Sequence, residues 1–261
     1  MTVTDAFVGL VQGPENALPL DHAALLVAAH ASPGLDVSAQ LDRLDELAAR
    51  CPKPSLEGLC QLLFEDMGFA GDTSDYGDPR NSFLDQVLDR RVGIPISLSV
   101  LMIEIGRRVG VALEGVAMPG HFLVRHQGSP DLLIDAFHGG RTLDAEQCAK
   151  MFSTLFGADA AMTPTMLDAV GPRVILARML ANLKRSYIDR RDPAGLIWVG
   201  RLRAAIPGVD SANEMIQLAQ LLVNLGRFGE AADALEELAG TQGERGASML
   251  VRARALRARL N

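Results

Sequence analysis

The sequence of 261 residues has few cysteines and no long apolar run. Three cysteines, Cys51, Cys60 and Cys148, are too few for a disulfide framework and favour a reducing compartment. Charges interrupt the apolar runs well before the 18 or so residues that a membrane span needs. The first residues lack the basic and apolar segments of a signal peptide. These absences predict a cytoplasmic protein that does not enter a membrane.

Lysine and aromatic residues are also scarce. The chain has only Lys53, Lys150 and Lys184, and none falls within a motif, so no residue is placed for Schiff-base chemistry. No aromatic residue lies among the five arginines near the end of the chain, Arg245, Arg252, Arg254, Arg257 and Arg259. Because nucleic acid bases stack on aromatic side chains, this basic tail is a poor candidate for binding nucleic acid.

The net charge of −7 is divided unevenly along the chain. Residues 1–170 carry 11 Lys and Arg against 23 Asp and Glu, a net charge of −12. Residues 171–261 carry 14 against 9, a net charge of +5. Such a division indicates two units with different surfaces. We predict one domain over residues 1–171 and a second over residues 172–261, with Pro172 at the boundary.

The first domain has the pattern of helices followed by strands. Residues 17–69 have apolar residues at the spacing of helices, and residues 95–110 are apolar nearly all round, which predicts a buried helix. The period then changes to two, which predicts a core over residues 81–140 that contains three strands, 112–118, 121–127 and 132–137. Residues 141–170 again have a helical pattern.

From residue 172 onwards the pattern is helical throughout. Helix pairs with small contact residues and a period of about 34 residues are typical of tetratricopeptide units. We interpret the region as one clear repeat, one degenerate repeat and a closing helix. Because such arrays present a concave surface, we expect a protein partner to bind there. The basic tail is then a solvated cap, or it packs against the acidic first domain.

An aspartate-rich segment, AGDTSDYGDPRNS, precedes the core and is rich in turn-forming residues. Asp72, Asp75 and Asp78 resemble calcium ligands in type, but their spacing does not match an EF-hand loop and no bidentate Glu follows. We therefore expect neither a metal nor another cofactor.

His121 and Asp135 are the residues best placed for chemistry. A hairpin centred on Gly128 pairs positions whose numbers add up to 256, which sets Asp135 opposite His121. An Asp that orients an imidazole is half of a nucleophilic triad. A charged pair on the surface of a sheet is the simpler interpretation, and the pattern alone leaves both open.

Four motifs follow one another along the chain: Asp78-Pro79-Arg80-Asn81-Ser82, Arg91-Val92-Gly93-Ile94-Pro95-Ile96-Ser97-Leu98, Pro119-Gly120-His121-Phe122 and Ile134-Asp135. Together they resemble the SirB family, a bacterial group with a transglutaminase-like core followed by tetratricopeptide-like helices. The resemblance extends loosely over residues 17–240. It implies an α+β fold in which a papain-like core packs a helix on an antiparallel sheet, with an all-α, tetratricopeptide-like region after it.

The resemblance also implies a site. In transglutaminase-like enzymes a Cys opens the central helix, and a His and an Asp follow on adjacent strands, at positions that correspond here to His121 and Asp135. The position of the Cys falls on Pro95, or on Ser97 if the helix start shifts by two residues. No cysteine of the chain stands there, and the hydroxyl of Ser97 needs far stronger activation than a thiol.

The same motifs contain candidate binding residues: Arg80, Asn81, Arg91 and Gly120. Asn81 or Ser82 suits the N-cap of the helix that follows, and Gly120 suits a tight turn beside a pocket. The arginines, together with Arg90, suit a bound carboxylate or phosphate, or else ion pairs with acidic residues of the core, namely Asp85, Asp89 and Glu104.

The leading hypothesis is a non-catalytic transglutaminase-like protein that keeps a His–Asp pair and acts through protein interaction or regulation. The alternative is a hydrolase or acyl-transferase in which Ser97 attacks, His121 acts as the base and Asp135 orients it. A regulator that binds nucleic acid through the basic tail is a third hypothesis, and the acidity of the whole chain argues against it.

Overall fold

The structure, a computed structural model, describes residues 1–241 and 246–260. Helices and a five-stranded antiparallel sheet come first, and several helices follow, which confirms the predicted fold class. The chain divides into two compact units, Met1–Met179 and Leu180–Asn261. This division lies inside a helix that begins at Pro172, the residue predicted as the domain boundary.

Short helices make up the first part of unit 1. Helix α1 was not predicted, and it begins after a capping box in which Thr2 and Asp5 bind each other's backbone N–H groups. Asp36 caps the start of α3, and Ser55 caps the start of α4. Helix α4 continues as a π-helix over Gln61–Asp66. The helices are α1 (Val3–Gln12), α2 (Leu20–Ala31), α3 (Val37–Ala49), α4 (Leu56–Cys60) and α5 (Leu84–Arg90).

Helix α6 (Pro95–Val109) is the central element of unit 1. The fixed φ of Pro95 suits the first turn of the helix. Gly110, at φ 80°, ends the helix in the left-handed conformation. Eleven of its fifteen residues are buried, because α2, α3, α5 and the sheet pack around it. The apolar run of the sequence therefore forms the predicted buried helix.

The sheet has the strand order β6-β5-β4-β3-β7, and its neighbours are antiparallel. Helix α7 (Ala145–Phe156) packs on it through an apolar cluster that includes Leu123, Leu133 and Cys148. A separate parallel pair, β1 (Ala70–Gly71) and β2 (Val92–Gly93), leads into α6. The strands of the sheet are β3 (Leu113–Val116), β4 (Leu123–His126), β5 (Ser129–Asp135), β6 (Arg141–Leu143) and β7 (Ala169–Val170).

Two predictions about the strands were wrong in detail. The predicted strands are longer than β3 and β4, and residues 136–138 form a 3-10 helix instead of extending β5. Residues 141–170 are not helical throughout, because β6 and β7 flank α7. Strands of two or three residues are too short to produce an alternating pattern.

The hairpin register also differs from the prediction. Val124 pairs with Ile134, so paired positions add up to 258 and not to 256. An irregularity between Arg125 and His126 accommodates extra residues of β5 and shifts the register. His121 precedes β4 and lies diagonally to Asp135. Because the shift is by two residues, both side chains stay on the same face, where a diagonal contact is within reach.

A network of buried charges joins α2 to the end of α6. Arg108 binds the carboxylates of Asp21 at 2.7 Å, Glu104 at 3.2 Å and Asp45 at 2.6 Å. Arg107 adds bonds to Asp21 and Glu104 at 3.0 and 2.8 Å. Burial and the charge of Asp21 raise the pKa of Glu104, although both arginines oppose the shift. The two buried carboxylates therefore depend on the arginines for compensation.

Helices form unit 2, with a core of leucines and alanines. Gly195 allows close packing, since a Cβ there would lie 2.6 Å from the ring of Tyr187. The helices are the end of α8 (Pro172–Asp189), α9 (Pro193–Ala205), α10 (Ser211–Asn224), α11 (Phe228–Thr241) and α12 (Gly246–Arg257). Among the described residues, no helix combines the length and the apolar character needed to cross a membrane.

The basic tail interacts with a neighbouring helix. Arg257 binds Asp233 and Glu236 of α11, both at 2.7 Å, and the guanidinium of Arg259 lies 4.2 Å from the centre of the Phe228 ring. The ion pairs of Arg257 thus lie within unit 2. Arg245 lies outside the described residues.

We expect the buried network to contribute strongly to stability. Arg108→Ala should lower the free energy of unfolding by about 3 kcal/mol, because it leaves buried carboxylates without their main partner. Arg43→Ala is the matched control, since Arg43 forms an exposed ion pair with Asp89, and it should cost no more than about 1 kcal/mol. Urea denaturation of both variants measures the difference, and equal losses would contradict the role of the network.

Candidate functional site

A tight turn positions His121 just before β4. Gly120 adopts φ 77°, which glycine accepts without strain, and a Cβ there would lie 2.9 Å from Leu155. The N–H of His121 donates to the carbonyl of Met118. The guanidinium of Arg178 donates to the backbone carbonyls of Met118 and His121. Gly120 therefore shapes the turn that holds His121, and the predicted tight turn is present.

Asp135 ends β5 and begins the 3-10 helix Ala136–His138. Its carboxylate accepts a hydrogen bond from the backbone N–H of His138 at 3.3 Å, as a helix cap does. The following Gly139 and Gly140 have positive φ and return the chain to β6. This local geometry turns the side chains of His138 and Arg141 back towards Asp135.

The carboxylate of Asp135 is the centre of the site. Its side chain has no solvent exposure, yet two histidines and one arginine bind it. His121 Nε2 lies 2.9 Å from Oδ1, His138 Nδ1 lies 2.7 Å from Oδ2, and Arg141 Nη2 lies 3.1 Å from Oδ2. The structure thus brings His121 and Asp135 together and adds two further cationic or donor groups.

The electrostatics of the site favour an ionised Asp135. Burial opposes ionisation, but the hydrogen bonds and charges of His121 and His138 outweigh it and lower the pKa of Asp135 to about 2. The carboxylate is therefore charged at neutral pH, and it can orient the imidazole of His121 through Nε2.

Aromatic side chains line the site. The ring of Phe137 stands edge-on to His121 at 6.2 Å and to His138 at 5.0 Å. Phe137 also covers Gly71 of β1, where a Cβ would lie 2.5 Å from its ring. Tyr76 contacts the same ring at 6.1 Å. The site consequently has an apolar wall beside its charged centre.

The predicted nucleophile is absent from this arrangement. Pro95 occupies the first position of α6 and has no reactive group. Ser97 is fully buried, and its hydroxyl donates to the carbonyl of Asn81 at 2.5 Å and accepts from the N–H of Ile94 at 3.0 Å. Ser97 thus holds the start of α6 in place, and the Ser97–His121–Asp135 alternative is not favoured.

The cysteines are poor substitutes. Burial raises the pKa of Cys60 to about 11, and the charge of Glu65 adds to the shift. Burial also raises the pKa of Cys148 to about 11, with a contribution from the nearby carboxylate of Asp144. Neither thiol is a thiolate at neutral pH, which is the reactive form.

The remaining candidate residues lie in a polar network before α5. Asn81 is fully buried; it donates to Asp72 at 3.0 Å and accepts from Arg90 at 2.9 Å. Arg80 binds Asp78 at 2.5 Å. Arg80 and Arg90 thus form ion pairs, as one of the two alternatives held. Their partners are Asp72 and Asp78, and not the predicted Asp85, Asp89 or Glu104.

Arg91 contributes its backbone. It adopts φ 57° at the end of α5, and its carbonyl accepts from Ala70 N–H beside the β1–β2 pair. The oxygens of Asp72 accept from Ser74, Asp75 and Asn81. They bind protein donors, as a turn-stabilising aspartate does.

His138 and Arg141 were not among the residues predicted for the site. A signal was present in the stretch Asp135-Ala136-Phe137-His138-Gly139-Gly140, because an aspartate followed by a glycine pair marks a turn that Asp caps. Such a turn places the residue three positions later beside the carboxylate.

Comparison with known proteins agrees with this geometry. The sequence profile described as the transglutaminase-like superfamily matches residues 35–181, which include α6, the sheet and the His–Asp pair. This chain belongs to the transglutaminase-like superfamily.

Individual relatives extend the similarity within the superfamily. A UPF0162 protein of Xylella fastidiosa (strain Temecula1) is 35% identical over 240 residues, which cover 86% of this chain and 83% of that protein. A UPF0162 protein of Pseudomonas aeruginosa is 31% identical over 183 residues, 67% of each chain. Human F-box only protein 21 is 36% identical over 148 residues, which are 52% of this chain and 23% of that protein. No solved structure matches the chain.

We expect Asp135 to give a measurable dependence of stability on pH. Its folded-state pKa of about 2 lies below the ordinary 3.8, so its ionisation stabilises the fold above that ordinary value. The contribution, about 2 kcal/mol, is lost as the pH falls through about 2.

Asp135→Asn removes this contribution. The difference in unfolding free energy between the wild type and this variant should narrow as the pH falls from about 5 to about 2, as measured by urea denaturation. Asp131→Asn, at an exposed position of the same strand, is the control. A difference that stays constant with pH would show that Asp135 is not held ionised by its neighbours.

Proposed function

We propose that this chain is a non-catalytic transglutaminase-like protein that acts by binding, and that the helices of unit 2 carry the surface for a protein partner. The observation that carries the first part is the burial of the Ser97 hydroxyl, which is hydrogen bonded to Asn81 and Ile94. Pro95 at the start of α6 supports it, because a proline side chain cannot attack a carbonyl.

The retained His–Asp pair is consistent with this role. Asp135 needs partners for its buried charge whether or not a reaction takes place, and His121 is one of them. A role in structure and binding therefore explains why His121 and Asp135 are present although the nucleophile of a catalytic triad is missing.

The finer family assignment is also part of the proposal. The four motifs around His121 and Asp135 support membership in the SirB group. Small residues at the α10–α11 contact, such as Ala219, Ala231 and Ala232, support tetratricopeptide-like repeats in residues 172–261. Three free cysteines support a cytoplasmic location, since an oxidising compartment favours disulfides.

A groove in unit 2 suits the insertion of an apolar side chain. Its volume is about 150 Å³, and its lining combines leucines with a charged group, Lys184 bound to Glu214 at 2.6 Å. Ile188 at its edge is 55% exposed, so its side chain is accessible to a partner. An apolar residue of a protein partner, flanked by a polar group, fits this lining.

Nucleic acid is a weaker candidate. Arg257 pairs with Asp233 and Glu236, so much of its charge is compensated within the chain. Counterion release, which drives binding to phosphates, needs arginines that are free to exchange their partners.

The non-catalytic role predicts no acyl transfer by the full chain. Wild-type protein, His121→Asn and Ser97→Ala should give the same background rate with a glutamine-containing peptide and an amine, and with an activated ester. A working triad would instead lose roughly 10⁴-fold on removal of one member. Turnover by the wild type that disappears in His121→Asn would overturn the proposal.

The partner surface predicts a position-specific loss of binding. Ile188→Asp places a charge in the groove and should abolish cross-linking of partner proteins to the full chain, as detected by mass spectrometry of a lysate of the source cells. Ile216→Asp is the matched control, because Ile216 is 38% exposed in the same unit but does not line the groove. Identical sets of captured proteins from both variants would remove the groove from consideration.

A further inference from the structure

Three potential metal ligands meet at the end of β5. His121 Nε2, His138 Nδ1 and a carboxylate oxygen of Asp135 all lie within 4.8 Å of one another. Both imidazole nitrogens face the same carboxylate, one at each oxygen. We propose that these three residues bind a divalent transition metal ion of the zinc type. This inference rests on the proposed non-catalytic role, because the metal would replace the His121–Asp135 hydrogen bond that a catalytic base needs.

The donor set determines the class of metal. Two imidazoles and one carboxylate suit Zn²⁺ and related transition ions, whereas Ca²⁺ and Mg²⁺ favour sites built from oxygen. Zinc bonds of about 2.0–2.2 Å in a tetrahedral arrangement space the ligand atoms roughly 3.3 Å apart. The separations here run from 2.7 Å to at most 4.8 Å, so they bracket the spacing required. Small side-chain rotations bring the three atoms to it.

The protons balance without a further reactant. The metal takes the imidazole nitrogen that now faces Asp135, and in the metal-bound form the ring proton resides on the other nitrogen. Any further proton that an imidazole carries is released to solvent when the metal binds. Two hydrogen bonds are thus replaced by three metal–ligand bonds.

The site is open on one side. Asp135 has no solvent exposure, whereas the side chain of His138 is 47% exposed. An ion can therefore approach along His138, and a water molecule can complete the coordination from the solvent side, as in open zinc sites. The ring of Phe137 covers another side and shields the ligands.

Arg141 competes with the metal. Its guanidinium lies 3.1 Å from Oδ2 of Asp135, so it occupies the oxygen that a cation would approach. Its side chain is 49% exposed and is free to rotate into solvent. Arg141 thereby lowers the affinity for the metal, and its removal should raise that affinity several-fold.

Isothermal titration of the full chain with ZnCl₂ tests the site. We expect one ion per chain with a dissociation constant in the micromolar range or tighter, and no binding of Mg²⁺. His138→Ala should weaken zinc binding at least tenfold, since loss of even an outer-shell partner costs about 10–100-fold. His126→Ala is the matched control, because it removes a histidine of the same sheet outside the cluster, and it should bind as the wild type does.

Two further variants distinguish zinc binding at this site from zinc binding elsewhere on the protein. Cys51→Ser should leave zinc binding unchanged, and Arg141→Gln should strengthen it. Absence of zinc binding, equal binding by His138→Ala and the wild type, or loss of binding in Cys51→Ser would each overturn the inference. Circular dichroism without metal verifies that His138→Ala is folded.

The zinc titration and the acyl-transfer assay together distinguish failure of the metal site from failure of the non-catalytic role. Wild-type protein that is inactive and binds no zinc would remove the metal site and leave the non-catalytic role standing. Protein that transfers acyl groups and loses this activity in His121→Asn would remove both.

Discussion

A carboxylate without access to water must find compensating charge inside the protein, and this requirement shapes the region around Asp135. Its partners His121, His138 and Arg141 come from three segments: the turn before β4, the 3-10 helix and β6. The side chain therefore fixes the relative positions of these segments, because loss of any partner leaves a buried charge poorly compensated. Asp135 therefore links these three segments, and this structural role does not require a reaction.

The two ends of the site that the transglutaminase-like resemblance implies differ in their chemistry. At the base end, His121 retains an oriented imidazole and a charged partner. At the other end, Pro95 and Ser97 serve the start of α6, and the Ser97 hydroxyl bridges that start to Asn81. Asn81 in turn binds Asp72, so Ser97 belongs to the hydrogen-bond network of the preceding loop. Membership in the superfamily describes the fold, whereas these contacts decide what the site can do.

Sequence reasoning succeeded where a pattern extends over many residues. The apolar run of α6 and the change of period that follows it predicted the core, and the His–Asp pair survived a register error because a shift of two residues keeps the face. Local turn geometry was harder to foresee. His138 and Arg141 reach Asp135 only through the turn at residues 136–140, and β6 and β7 are too short to alternate visibly. The ion pairs of Asp72 and Asp78 with Arg80 and Arg90 could not be predicted either, because no helical or strand period relates these positions.

The glycines around the site have a consequence for how the chain folds. Gly71 lies against Phe137 and Gly140 lies against Phe64, although each pair is about 70 residues apart in sequence. Contacts between residues so far apart in sequence close large loops of the chain. Closing a loop lowers the entropy of the chain, and this loss opposes folding until the contacts have formed. The helices can form early from local contacts, whereas the His–Asp region takes shape only when distant parts of the chain have met. We therefore expect the last cooperative step of folding to be the one that assembles the site.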